Sequence, residues 1–233
     1  MIKSLFSYLL AYDGNKKLTL WKVFRVLKNT PIHFFRTFLG RWENYFARRK
    51  LILLGFSEEV DAIEKRYIEQ PIYAEKWAEI YSLVKLLIKR SSNQILEFGS
   101  GRTTIIFGAI APTVSIEASK TWAKINNNYL KKKNKAKIIH SKLSIKNIDN
   151  EPIIFHQNLP KISPDFIYID GPGVDTAPPG CYVAGDVISM NLKPGTLIVV
   201  DGRKQNVRFL KKKLNARYFK LTGILGGNYT QRC

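Results

Sequence analysis

Asn93–Asn126 reads NQILEFGSGRTTIIFGAIAPTVSIEASKTWAKIN, and its order of apolar runs, glycines and acids decides the fold. Gln94–Phe98 is a short apolar run carrying one acid, Glu97, and it stops at a glycine turn, Gly99-Ser100-Gly101. The composition predicts a helix over Thr103–Ala111, then a second strand over Thr113–Ile116 that Glu117 closes. Strand, glycine turn, helix, strand and acid make one βαβ unit with the outline of a nucleotide-binding crevice. Each part has its own physical reason. Glycine lets the backbone approach a ligand and adopt φ angles that a Cβ forbids. A helix start offers unpaired N–H groups, and a carboxylate at the second strand's end can accept the hydrogen bonds of a ribose diol.

Outward from this unit, Gln70-Pro71 opens a predicted helix running to about Arg90, with Trp77, Ile80, Tyr81, Val84, Leu87 and Ile88 as its apolar stripe. On the other side Ser119 is placed to cap a helix running to about Lys131, with Trp122 and Ile125 inward. Lys131, Lys132, Lys133, Lys135 and Lys137 form a basic cluster, either a solvated surface or a phosphate- or glycan-facing patch. A third strand is expected over Ala136–His140. Leu143–Ser163, which contains His156, reads as irregular. A fourth strand, Asp165–Ile169, ends in Asp170-Gly171-Pro172-Gly173, and a Pro/Gly-rich loop follows through Ala177–Gly180. Then come a short helix over Asp186–Leu192, a fifth strand over Thr196–Val200 ending at Asp201-Gly202-Arg203, and a basic helix over Lys204–Leu214. Arg217–Thr222, a Gly226-Gly227 turn and Asn228–Cys233 close the chain as a terminal hairpin.

ILEFGSG followed by SIEASKTW resembles motifs I and II of the class I S-adenosylmethionine-dependent methyltransferases, and DFIYIDGP and LKPGTLIVVDG extend the likeness from about Trp77 to the C-terminus. The resemblance implies an α/β fold: a doubly wound, mostly parallel seven-stranded sheet whose last strand is antiparallel. It implies a catalytic domain over 71–233 and leaves 1–70 as a basic, aromatic helical segment. For the cofactor, S-adenosylmethionine, it implies that Gly99, Ser100 and Gly101 pass beneath the ligand, with Phe98 and Thr103 also among the residues that bind it. Glu97 would then lie near its methionine end, and Glu117, with Ala118 beside it, would hold the ribose. Ser141, Lys142 and Asp170 stand at further strand ends, where open α/β sheets bind ligands. Trp122 either walls the adenine or packs in the core.

The same likeness casts Asp170 as the base or acceptor-orienting group, with Asp201 one strand over and Arg203 close behind. Asp170 and Asp201 also suit a magnesium ion, as in catechol-type O-methyltransferases. There asparagine follows the second acid; here Gly202 does. Thr103 stands where dinucleotide folds usually keep a third glycine. The Asp170-Gly171-Pro172-Gly173 turn departs from the Asn/Asp-Pro-Pro-aromatic turn of amino-group methyltransferases, and Asp201 replaces the lysine of Lys-Asp-Lys-Glu ribose enzymes. It looks more like the Ile-Asp-Gly turn of small-molecule and sugar O-methyltransferases. A short-chain dehydrogenase would need Tyr-x-x-x-Lys, whereas Tyr182 is followed four residues on by Asp186.

Charge narrows the partners. The chain's 38 Lys+Arg against 18 Asp+Glu give a net charge of +20, a balance that bears on association and not on fold. It favours an anionic acceptor such as a glycan, and it keeps RNA and an anionic membrane open. Cys181 and Cys233 are too few to staple a domain of 233 residues, so a reduced, cytoplasmic setting is expected. In the N-terminal segment Asn29-Thr30-Pro31 is a helix start, after which Phe34, Phe38, Trp42 and Tyr45 recur at helical spacing among Arg36, Arg41, Arg48, Arg49 and Lys50. Two readings fit it: a peripheral helix pair on anionic lipid, or a cap packed on the catalytic domain or on a second subunit. A further reading of the whole is a membrane-attached, non-catalytic scaffold.

Overall fold

A parallel strand covered on both faces is apolar at nearly every position, and that constraint selects the centre of this molecule. The structure, a computed structural model, describes residues 40–69, 77–173, 181–182, 185–201, 204–214 and 230–232. In chain order come helices α1 (40–53), α2 (Ser57–Glu69) and α3 (Trp77–Arg90), strand β1 (Ile95–Phe98), α4 (Arg102–Ile110), β2 (Thr113–Glu117), α5 (Lys120–Asn127) and β3 (Ala136–His140). There follow β4 (Leu143–Ile148), β5 (Glu151–His156), β6 (Phe166–Ile169), α6 (Gly185–Ser189), β7 (Leu197–Val200), α7 (Lys204–Leu214) and β8 (Thr230–Arg232). Strands β1, β6 and β7 are buried at every residue.

The main sheet runs β3-β2-β1-β6-β7-β8, parallel throughout except for β8, which pairs antiparallel with β7. The mostly parallel sheet and its antiparallel last strand are as expected. This sheet has six strands rather than seven among the described residues, and 217–222 and the Gly226-Gly227 turn lie outside them. Alternate residues of each strand face opposite sides, and two cores result. Ile95, Phe166, Tyr168, Leu197 and Val199 pack with α1 to α4, while Leu96, Phe98, Ile167, Ile169, Ile198 and Val200 pack with β4, β5, α6 and α7.

Ala47, Leu51, Val60 and Ile63 share the first core with Leu83, Ile106 and Phe107. The larger compact unit, Glu43–Cys233, takes in α2, α3 and the sheet together. The inward face of α1 is also not the aromatic one. Ala47 and Leu51 are buried, whereas Trp42, Tyr45 and Phe46 are about half exposed; Phe34 and Phe38 lie outside the described residues. Arg48 clamps α1 to α2 with a two-pronged bond to Glu64, at 2.5 and 2.9 Å. In α3 the stripe passes through Leu83, leaving Tyr81 half-buried and Ile88 47 % exposed. Steps of three and four from Trp77 through Ile80, Leu83, Val84 and Leu87 place 81 and 88 on the flank.

The stretch 143–156, irregular on its sequence, is an antiparallel hairpin in which Leu143 pairs with His156 and Ile148 with Glu151. Its two-residue turn, Asp149-Asn150, has φ of 52° and 63°, the left-handed pair that matches the twist of flanking strands and that Asp and Asn tolerate. Lys213 of α7 bonds to Asp149 at that turn.

The other end of the hairpin is fastened by a buried polar pair. The Asp186 carboxylate accepts the His156 backbone N–H at 3.0 Å and lies 2.7 Å from its Nδ1, both side chains being almost wholly buried. Tyr182 adds itself to the β5 edge, donating to Pro152 O and accepting from Ile154 N–H, and stacks on Phe209 at 4.5 Å. Truncation in Asp186→Ala leaves two interior donors without an acceptor. Urea unfolding is expected to show a loss of about 2 to 4 kcal/mol; a loss under about 0.5 kcal/mol, the range of an ordinary surface substitution, contradicts this account of the pair.

Candidate functional site

The chain leaves β1 outward through β2 to β3 and then crosses back to β6 on β1's other side. The strand order reverses between β1 and β6, where doubly wound sheets open a crevice at their carboxyl ends. The loops after β1, β2 and β6 meet there. Gly99 has φ of 92°, and its N–H donates to Ile116 O at 2.8 Å. A Cβ at Gly99 would lie 2.6 Å from Gly171 N, and one at Gly171 would lie 2.5 Å from Gly99 Cα. The Asp170 and Gly171 N–H groups both donate to Phe98 O, at 2.9 and 2.6 Å. Gly171 thus brings two backbones into contact. Gly101 is different: a Cβ there meets nothing within 4 Å.

Glu117, at the end of β2, ties the loops together. Its Oε2 accepts the Ser100 N–H and the Ser100 hydroxyl, both at 2.8 Å, and its Oε1 accepts the Ser119 N–H at 2.8 Å. A carboxylate offers about four acceptor positions, so with three donors among the described residues one position on Oε1 is left. Ser119 also caps α5 as expected, accepting Trp122 N–H at 3.3 Å. The buried residue of α5 is Asn126, which the sequence does not single out. Trp122 is half-buried, with the Arg66 guanidinium 5.8 Å from its ring centre, and Ile125 is half-buried too.

Glu97 lies differently from expectation. Its carboxylate is wholly buried and accepts the hydroxyls of Thr103 and Thr104, each at 2.5 Å. Thr104 Oγ1 in turn accepts the Gly101 N–H at 2.8 Å. Glu97 therefore anchors the start of α4 beneath the glycine turn, with its carboxylate turned inward. Thr103, in the place of a third glycine, is the partner that makes this anchor. Burial pushes the Glu97 carboxyl up from its ordinary 4.5 to about 7, the two threonine hydroxyls opposing and the Asp170 charge adding to the rise.

The other expected residues divide. Gly99, Ser100, Gly101, Glu117 and the half-buried Ala118 gather at the crevice, with Asp170 exposed at the end of β6. The Phe98 side chain is not with them: it is buried in the second core, 5.3 Å from the His156 ring. Ser141 is buried, donates its N–H to Glu117 O and accepts Asn158 N–H on its hydroxyl at 2.9 Å, which makes it a brace for the next loop. Lys142 is exposed beside it. Asp201 is half-buried after β7 and donates its N–H to Ile169 O; Arg203 and 174–180 lie outside the described residues. Lys131 and Lys133 of the basic cluster pair with Glu58 of α2, at 3.1 and 2.7 Å.

The two acids that follow β6 and β7 are the ones that would hold a magnesium ion. Asp170 and Asp201 end neighbouring strands, but Gly202 offers no third side-chain ligand. No group of three His, Cys, Asp or Glu side chains placed to hold a metal ion is found among the described residues.

No protein-family model matches the sequence, and no curated protein matches it. Solved structures do. A Klebsiella pneumoniae protein assigned as an O-methyltransferase superposes with a TM-score of 0.53 at 14% identity, covering 83% of this chain and 96% of that one. The O-methyltransferase from Bacillus cereus, solved in complex with SAH, aligns at 14% identity over 76% of this chain and 88% of its own, with a TM-score of 0.49. The first likeness shows the fold: this chain shares the Rossmann-like α/β architecture of that Klebsiella pneumoniae protein.

The buried acid generates a pH test. Between pH 4.5 and about 7 the folded chain keeps a proton on Glu97 that the unfolded chain has released, so this group's contribution falls as pH rises. The fall amounts to about 3 kcal/mol, at about 1.4 kcal/mol per tenfold in proton affinity. Glu97→Gln has no such group, so its stability relative to the parent is expected to climb across that window in urea titrations. Curves that stay parallel contradict the assignment.

Proposed function

We propose that the protein is an S-adenosylmethionine-dependent O-methyltransferase acting on a hydroxyl of a sugar, polysaccharide or related small, anionic acceptor. The observation that carries this reading is the geometry at the strand-order reversal. A two-glycine turn there is bonded through Ser100 to the Glu117 carboxylate, with one acceptor position left on Oε1 and open space off Gly101. Those features fit an adenosyl ligand: the turn gives a close floor, and Glu117 receives a ribose hydroxyl. The methyltransferase fold supports the same choice over a dinucleotide oxidoreductase, and Thr103, held by Glu97, fills the place of the third glycine.

S-adenosylmethionine, when bound, supplies a methyl group already activated on a sulfonium. What remains for the chain is to hold the acceptor oxygen about 3 Å from that carbon, in line, and to take up its proton. Asp170 suits the second task. It is exposed at the crevice, and its backbone is fixed by the bond to Phe98 O. Asp201, one strand over, would bind or orient the acceptor, with Arg203 close by in sequence. No step is routed through magnesium.

The net charge of +20 fits an anionic acceptor and leaves RNA as the second substrate class. None of the described helices is long and apolar enough to cross a membrane; the cytoplasm is the proposed location, with residues 1–70 as the part that would meet a lipid surface or a second copy.

Titration calorimetry with S-adenosylhomocysteine tests the reading, and no heat at millimolar ligand rejects it. Glu117→Ala is expected to weaken binding about ten- to hundredfold, the loss of about 1.5 to 3 kcal/mol of charge-assisted hydrogen bonding. Gly101→Ala separates ligand space from protein packing: affinity reduced, with no more than the modest loss of melting temperature that an alanine at a helix N-cap brings. If Gly101→Ala binds as tightly as the parent, the open space beside it is not the ligand's.

A further inference from the structure

Arg66 of α2 is 9 % exposed, and a buried guanidinium needs good partners. Its Nε–H donates to Asn126 Oδ1 at 2.8 Å. That contact orients the amide, because the flipped form would set Nδ2 against the guanidinium donors and Oδ1 against a carbonyl. With Oδ1 on Arg66, the Asn126 Nδ2 donates to Ser100 O at 2.9 Å and to Ser100 Oγ at 2.7 Å. The Ser100 hydroxyl, having accepted, turns its own hydrogen to Glu117 Oε2, which also takes the Ser100 N–H. Donors therefore point one way along the line Arg66, Asn126, Ser100, Glu117, from a buried cation to a buried carboxylate. Chains of this kind polarise each link.

We infer that Arg66 is a positioning residue of the adenosyl site. Acting through Asn126, it holds the glycine turn and the Glu117 carboxylate in the arrangement that receives the ligand, and it makes α2 part of the site. The reason lies at Ser100. It sits between Gly99 and Gly101, residues that lose the most backbone freedom on ordering. Its N–H, C=O and hydroxyl are all engaged before any ligand arrives. Two of those three engagements come from Asn126, whose orientation Arg66 sets. A turn fixed in advance costs less to order on binding. The inference rests on the proposed adenosyl ligand, and its test keeps the two apart.

Calorimetry with S-adenosylhomocysteine is run on the full chain, on Arg66→Met, on Arg66→Lys and on Val60→Ala. Val60 is a fully buried core residue of the same helix and serves as a control for stability alone. Both Arg66 variants are expected to bind about tenfold more weakly at a temperature where they are folded, lysine failing because it lacks the Nε–H fork. Val60→Ala is expected to lose melting temperature and keep its affinity. Without ligand, hydrogen exchange over residues 98–104 is expected to quicken in Arg66→Lys and not in Val60→Ala. A parent that binds while both Arg66 variants bind within twofold of it overturns the inference. So does equal weakening in Val60→Ala. If Arg66→Met does not fold, Arg66→Lys decides by the same two readouts. A parent that does not bind rejects the adenosyl site itself.

Discussion

The carboxylate of Glu117 is the point at which three stretches of chain become one surface. It ends β2, takes the amide and hydroxyl of Ser100 from the loop after β1, and takes the amide of Ser119 at the start of α5. Each of those donors belongs to a loop end or helix start that has no partner of its own within regular structure. Without an acceptor there, Ser100 would lose two of the bonds that fix the glycine turn and the start of α5 would lose a fixed neighbour. The carboxylate is largely buried yet stands at the mouth of the crevice. One acid therefore shapes the crevice and faces whatever enters it.

Two other constraints make that position unavoidable. The parallel register pairs Phe98, the last residue of β1, with Ile116 and Ile169, so Glu117 falls one residue beyond the end of β1. The glycine-to-glycine contact between residues 99 and 171 then draws the loop after β6 against the loop after β1. Beneath them, Glu97 holds the first turn of α4 by two threonine hydroxyls. The crevice is thus built on backbone contact and buried hydrogen bonds, with Asp170 exposed at its rim.

Much of this was legible in the sequence where the signal is local. The βαβ unit, the Ser119 cap and the bounds of α7 at Lys204 and Leu214 follow from short-range patterning and turn chemistry, and the structure has them where the pattern predicts. What could not be read depends on contacts between distant segments. Nothing near Glu97 says that Thr103 and Thr104 turn inward to meet it. Asn126 looks like one of three asparagines at a helix end until Arg66 and Ser100 are seen on either side of it. The hairpin was hidden for another reason: Asp-Asn is a weaker turn signal than Asn-Gly, and Pro152 interrupts the run that follows. The inward face of α1 was not legible because its aromatic stripe is the more conspicuous one, although the small residue Ala47 and Leu51 are what the core admits.

The central claim is that the space between the glycine turn and Glu117 is an adenosyl site, and a crystal structure grown with S-adenosylhomocysteine tests it most directly. The account predicts the adenosyl group over Gly99–Gly101, a ribose hydroxyl on Glu117 Oε1, the Ser100 contacts intact and the sulfur turned toward Asp170. Density for the ligand elsewhere, or a ribose that leaves Glu117 bonded to Ser100 and Ser119 alone, would contradict it.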